Sequence, residues 1–388
     1  MIDRAVSGPW TDRDLPRVAA WLDEIDAPLD SVVEAIHRPF YYAPIVRSSE
    51  KDLLLGCLLP HLSVHREIGR ALAMRCLRSL GRGDLIAAID DWGAAARLAR
   101  LQTHEPLLIS NLVGIAIGVQ AHEMYKLILQ QPGLTKAHLN QISAAYTQLP
   151  PHSPIAKNIF ELERALVLDI LIGLSRGWCD WGQVLGPNSP PASHLSDQVV
   201  ERKRSDVLTE ITADPAFDLE RALRRANTFW DRWSRGMPQE FGAQKRYNDA
   251  IEKELKKPHM DELLEIVQER VNGGLRLSGD TADAVADFYL DVASPVVQAA
   301  LLTEWRHRAH IQIESVALSL AMFRADHGGF PAALAALVPK YLQGVPDDCF
   351  TEGQALRYRT EEGACVVYSV GKMGGTTAGS AITKTAIL

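Results

Sequence analysis

The chain has 388 residues, of which 47% are hydrophobic and 23% charged; this composition excludes a disordered chain, a collagen-like chain and a small disulfide-rich scaffold. Acidic residues outnumber basic ones by 48 to 41, which gives a formal net charge of −7 and argues against a general nucleic-acid-binding protein. The length predicts two or three folding units or one elongated helical array.

The first half of the chain has the hydrophobic pattern of helical hairpins. Apolar residues recur at helical spacing over Pro60–Leu80 and again over Leu85–Leu101, and the sequence GRGD at 81–84 separates the two runs. Two helices joined by so short a turn pack antiparallel. Further helices are predicted over 15–25, 105–130, 135–149, 154–174, 206–255, 258–273 and 282–325, the last with a break at Ser294-Pro295.

One segment is similar to a known helical repeat. The positions that match the second helix of a tetratricopeptide unit are Leu85, Ala88, Ile89, Trp92 and Ala95. No second copy follows at the required period, so a non-repetitive stack of hairpins is preferred over a true repeat array. The predicted fold is therefore mainly α: stacked antiparallel helical hairpins, partly tetratricopeptide-like, with a small C-terminal α+β module.

Two changes of composition divide the chain. The segment 186–195 is rich in Pro, Ser and Gly and is typical of a linker. It separates an N-terminal helical body, 1–185, from a second helical region, 196–325. Glycine, proline and β-forming residues then define a module over 326–388. Its predicted strands are Leu356–Arg359 and Cys365–Val370, and its tail over 374–385 is expected to be frayed.

The C-terminal module has a recognisable motif order. Leu318–Gly329 leads into Phe330-Pro331, then Val345–Phe350, and Val367–Gly371 (VYSVG) closes the series. This segment resembles the soluble end of the major pseudopilin of type II secretion. The same tail occurs in bacterial proteins of unknown function with helical bodies, which also carry stretches similar to 58–100 and 217–233.

The sequence departs from the pseudopilin pattern where that family binds calcium. Acidic residues would follow the VYSVG motif, but Lys372, Met373 and Gly374 stand there instead. Calcium requires six to eight oxygen ligands, usually including carboxylates. We therefore expect no calcium and no other cofactor. The N-terminal apolar helix used for pilus assembly is also missing, so the resemblance implies a packing module and not a pilus subunit.

Two histidine groups are candidate metal ligands. His61 and His65 stand four residues apart on one helix, and His307, His310 and Glu314 share a helical face about 60° wide. The alternative for the first pair is a buried, hydrogen-bonded role. For the second group it is a solvent-exposed face, because the apolar residues of that helix lie on the opposite side.

Two aromatic groups are candidate partner-binding residues. Phe40, Tyr41 and Tyr42 lie between prolines in a predicted loop, and Trp230 and Trp233 lie one helical turn apart. Aromatic rings beside arginines can clamp a peptide or stack on a base. The alternative for the tryptophans is packing between helices.

No phosphate-binding loop, nucleophile elbow or dinucleotide motif is present. We therefore predict a non-enzymatic interaction or scaffold protein that binds a peptide or protein partner and has a role related to the envelope or to secretion. The alternative is a metal-dependent helical-bundle hydrolase that uses a His/His/Glu cluster. The five scattered cysteines favour a reducing compartment, hence a cytoplasmic protein, or an envelope-associated or periplasmic one if the chain is a trimmed form. The apolar runs 53–59 and 107–121 are shorter than the roughly 20 residues of a membrane span, so none is expected.

Overall fold

A computed structural model describes residues 2–38, 41–47, 49–57, 59–158, 162–185, 204–256, 259–273, 277–351, 353–361, 364–370 and 383–387. Its helices, in chain order, are α1 (Ile2–Ala5), α2 (Pro16–Ala35), α3 (Pro60–Arg82), α4 (Leu85–Gln102), α5 (Leu108–Leu129), α6 (Lys136–Thr147), α7 (Ile155–Asn158), α8 (Arg164–Ser175), α9 (Trp181–Leu185), α10 (Arg204–Ala213), α11 (Leu219–Gly236), α12 (Phe241–Lys256), α13 (His259–Val271) and α14 (Gly279–His327). The prediction of a mainly helical fold with a small C-terminal α+β module is confirmed. The predicted linker, 186–195, lies outside these residues.

Local chemistry sets the ends of the first helical hairpin. Gly83 ends α3 in the left-handed conformation with φ of 79°, which glycine adopts without a steric penalty. The Asp84 carboxylate then accepts a hydrogen bond of 3.1 Å from the backbone N–H of Ala87 and so caps α4. The tight turn predicted from GRGD is therefore present.

The long helix α14 differs from its prediction. It runs without a break through Pro295, although proline supplies no N–H for the carbonyl of Asp291. The Ser294 hydroxyl donates to that carbonyl at 3.4 Å instead. A capping box between Ser278 and Thr281 starts the helix, and Gly328, with φ of 78°, ends it.

The described residues form two hydrophobic cores, and these cross the predicted domain boundaries. The first core combines α2–α6 with the second half of α14, from Ile313 onward, and with the C-terminal module. The second combines α8 and α10–α13 with the first half of α14, up to Leu301. Helix α5 contributes to both cores. No residue of α14 between Leu301 and Ile313 belongs to either core, and this stretch holds the polar cluster described below.

The C-terminal module contains a three-stranded antiparallel sheet. Strands β1 (Arg357–Glu361) and β2 (Ala364–Ser369) match the two predicted strands. The expectation of a frayed tail over 374–385 is wrong for residues 383–385, because they belong to β3 (Thr383–Ile387), which pairs with β2. The buried Asp348 carboxylate accepts hydrogen bonds from the Ser369 hydroxyl and the Val370 N–H, each at 2.8 Å, and ties the module together.

Two described helices, α5 and α14, are long and apolar enough to cross a membrane by length and composition alone. The apolar run 107–121 is shorter than a membrane span, but the helix that contains most of it, α5, has 22 residues and extends past the run to Leu129. Length alone therefore does not exclude α5 as a membrane span. The most apolar windows of α5 and α14 are 61% and 56% buried within the fold. Core helices of soluble proteins pass the same test, so the two helices are weak evidence for a membrane span.

Candidate functional site

His61 and His65 lie in a partly buried polar group between α3 and the end of α4. His61 Nε2 is 3.2 Å from Glu105 Oε1, and the Tyr41 hydroxyl donates a hydrogen bond to the same carboxylate. His65 Nδ1 bonds to the Gln102 side-chain oxygen. Burial lowers the pKa of His65, and the Gln102 bond offsets only part of that effect. His61 and His65 therefore have the buried, hydrogen-bonded role that was the alternative to metal binding. Tyr41 packs against His65.

The prediction of a solvent-exposed face for His307, His310 and Glu314 is wrong. His307 is 6% exposed and Glu314 is 9% exposed, because α14 packs against α5 on this face as well. Gly118 of α5 makes the approach possible. A Cβ atom built at that position would lie 2.4 Å from the His307 ring, closer than any real carbon contact.

The histidines of α14 meet two others, and we call His122, His152, His307 and His310 the histidine cluster. The rings of His122 and His310 are 4.4 Å apart, and those of His152 and His307 are 5.4 Å apart. His122 Nδ1 bonds to Glu314 Oε1 at 2.9 Å. Within the described part of the chain, three buried histidine ring nitrogens have no hydrogen-bond partner: His152 Nε2, His307 Nδ1 and His310 Nδ1.

Burial keeps three members of the cluster, His152, His307 and His310, neutral. It lowers the pKa of His152 to about 3 and that of His310 to about 4, and it holds the pKa of His307 well below the usual value. The positive charge of Arg100 acts in the same direction on His152 and His307. The cluster is thus a polar layer between the two cores, and these three histidines resist protonation.

Neither histidine group gives support to the metal-dependent alternative. Among the described residues, no group of three or more His, Cys, Asp or Glu side chains is arranged to hold a metal ion. His61 and His65 are each held by hydrogen bonds, and the unpartnered nitrogens of the histidine cluster are buried.

The tryptophan pair predicted to bind a partner is inside the protein. Trp230 and Trp233 are each 1% exposed, and their rings stack at 5.2 Å in the second core. The Trp233 indole N–H donates to Asn248 Oδ1 at 2.9 Å. An exposed binding role for these two residues is therefore corrected to helix packing. Tyr42 is 84% exposed, and Phe40 lies outside the described residues.

An apolar groove between α2 and α3 is the feature that the sequence analysis missed. Its volume is about 410 Å³. The lining residues are Trp21, Ile25, Pro28, Leu29, Val32, Ser63, Val64, Glu67, Ile68 and Ala71. Trp21 and Val64 remain 41% and 54% exposed. The apolar spacing of α2 continues past Ile25 to Val32, and that spacing was the available signal.

Comparisons with protein-family models, with curated proteins and with solved structures find no match. The geometry of the described residues is therefore the basis for a functional proposal.

Proposed function

We propose that this chain is a non-enzymatic interaction protein that binds an amphipathic helix of a partner in the groove between α2 and α3. The observation that carries the proposal is the exposure of Trp21 and Val64 at a groove lined almost entirely by apolar side chains. Exposed apolar patches of this kind are typical of protein interaction sites. A groove between two helices suits a third helix that inserts residues at i, i+3, i+4 and i+7.

The charge around the groove selects the partner. Helix α2 carries five acidic residues and one arginine: Asp23, Glu24, Asp26, Asp30, Glu34 and Arg17. Asp23, Asp26 and Asp30 pair with arginines of α3. No basic side chain of the described residues pairs with Glu24, which is exposed and lies one helical turn from Trp21, so its carboxylate is available to a ligand in the groove. The partner helix therefore carries lysine or arginine beside its apolar face.

The resemblance of the C-terminal module to the major pseudopilin supports a search for this partner among secretion and envelope proteins. We expect the binding surface itself to lie in the helical body, because the groove belongs to α2 and α3.

Binding of a synthetic amphipathic peptide, with leucine on one helical face and lysine on its flanks, tests the proposal. Fluorescence anisotropy is expected to show saturable binding by the full chain, and about tenfold or greater weakening in Trp21→Ser and Val64→Ser variants, which remove apolar contact area. A peptide with glutamate in place of lysine is expected to bind more weakly, because Glu24 lies beside the groove and Glu67 lines it.

Val296→Ser is the matched control for the groove variants. Val296 is 59% exposed on α14 and does not line the groove, so this variant is expected to bind the peptide as the parent does. Equal binding by the Val64→Ser and Val296→Ser variants, or equal binding of the lysine and glutamate peptides, would rule out the proposed site.

A further inference from the structure

A second cavity lies between α12 and α14, and three aromatic rings form its apolar wall. It has a volume of about 420 Å³, which is within the range of small-molecule sites. The Phe241 ring is 5.7 Å from that of Trp305 and 4.7 Å from that of Phe350, each in an edge-to-face arrangement. Phe350 belongs to the C-terminal module, so the cavity forms where three parts of the fold meet.

Two buried amides in this cavity have their orientation fixed by tryptophans. The Trp305 indole N–H donates to the Gln244 side-chain oxygen, and that of Trp233 donates to Asn248 Oδ1 at 2.9 Å. An indole N–H can only donate, so each amide must turn its oxygen to the tryptophan and its NH2 group elsewhere. Gln244 and Asn248 are each only 6% exposed.

The NH2 groups are short of acceptors. Gln244 Nε2 reaches only the Pro238 carbonyl, at 3.4 Å, and Asn248 Nδ2 has no acceptor among the residues that the structure describes. The Nε2 atom of Gln298, a third residue of the cavity wall, also has no partner there. Gln298 Nε2 is a buried donor without an acceptor, which costs free energy, and Asn248 Nδ2 is an unpaired donor at the cavity wall. The site therefore favours a ligand that brings oxygen atoms.

The charges at this cavity also favour an anion. Lys245 and Asp249 neutralise each other at 2.8 Å. Arg306 is exposed at the cavity wall, and no acidic side chain of the described chain pairs with it. One positive charge is therefore left beside the aromatic rings.

We infer that this cavity binds an apolar carboxylate, with an aromatic or branched aliphatic body against Phe241, Trp305 and Phe350. The carboxylate accepts hydrogen bonds from Asn248 Nδ2 and pairs with Arg306. Such a ligand is either a free small acid or the C-terminal residue of a peptide. This inference does not depend on the groove between α2 and α3, and the two sites are tested with different ligands.

Titration of the full chain with three probes, followed by tryptophan fluorescence and calorimetry, tests the chemistry. The probes are N-acetyl-phenylalanine, its C-terminal amide and 3-phenylpropionate. Both acids are expected to bind, and the amide about tenfold or more weakly, because it lacks the charge. Tighter binding of N-acetyl-phenylalanine than of 3-phenylpropionate identifies a peptide terminus, and the reverse order identifies a free acid. Equal binding of the acid and its amide, or no binding of either acid at millimolar concentration, overturns the inference.

Two variants locate the binding. Arg306→Gln is expected to weaken binding of N-acetyl-phenylalanine about tenfold or more without loss of fold, since the side chain is exposed. Asn248→Asp keeps an oxygen that accepts the Trp233 hydrogen bond but removes the NH2 donor. This variant is expected to abolish binding of N-acetyl-phenylalanine, because a second carboxylate repels that of the ligand. Arg224→Gln, on the exposed face of α11, is the control and should bind as the parent does. Unchanged binding in the Arg306→Gln variant would contradict the assigned site.

Discussion

Replacing Trp230 with alanine is expected to lower the free energy of unfolding by about 3–5 kcal/mol, as is typical when a buried aromatic side chain is removed. Trp230 is 1% exposed and stacks on Trp233 in the second core. The surrounding helices cannot close the space completely, so the variant loses both the burial of apolar surface and the contacts around the ring. Urea unfolding followed by circular dichroism measures the change.

Trp21→Ala is the matched control, because it removes the same side chain from a position that is 41% exposed. We expect it to lower the free energy of unfolding by less than about 1.5 kcal/mol, while it weakens peptide binding at the groove. If Trp230→Ala instead left the unfolding midpoint unchanged and abolished peptide binding, Trp230 would be a surface residue and the packing described for the second core would be wrong.

The parts of the fold that could be predicted from the sequence are those decided by neighbouring residues. Gly83 and Asp84 mark a helix end and a helix start through their own backbone and side-chain chemistry, and the structure has both. The capping position of Thr135 before α6 is a further example. Pro295 shows the limit of this approach, because packing on both sides of α14 keeps the helix continuous.

The candidate sites could not be predicted to the same extent, because they depend on which helices meet. Helical spacing places His307 and Glu314 on one face of the helix, as in the structure, but an amphipathic pattern assumes that only one face is buried. Helix α14 is covered on both faces, and the small residue that permits this, Gly118, is 189 residues away from His307 in the chain. The groove between α2 and α3 likewise depends on how two distant segments pack.

The stability of the fold is expected to fall as the pH is lowered from about 6.5 to about 4. An unfolded chain protonates its histidines near pH 6.5, whereas burial lowers the pKa of His310 to about 4 and that of His152 to about 3 in the folded state. Protons therefore bind preferentially to the unfolded chain in this range and favour unfolding. For His310 alone, the loss between pH 7.5 and pH 5 is on the order of 2 kcal/mol.

Other charged groups around the cluster modify the size of this effect but not its direction. Arg100 and Arg308 add positive charge near His152, and Lys126 and Glu123 have opposite effects on His310. Burial raises the pKa of Glu304, so this group takes up a proton more readily in the folded state and opposes part of the loss. Among the groups at the cluster, three histidines with lowered pKa outweigh one carboxyl with a raised pKa, so the cluster's contribution to stability decreases on acidification.

Urea unfolding at several pH values measures this dependence, and one substitution assigns it. His310→Gln keeps a polar side chain of similar length and removes the proton-binding group, so the variant should lose less stability than the parent between pH 7.5 and pH 5. His37→Gln is the control, because it removes an exposed histidine that lies outside the histidine cluster, just after α2. This variant should retain the parent's dependence of stability on pH. Equal pH dependence of all three proteins would show that His310 is solvated in the folded state, since only a group whose pKa changes on folding can couple protons to stability.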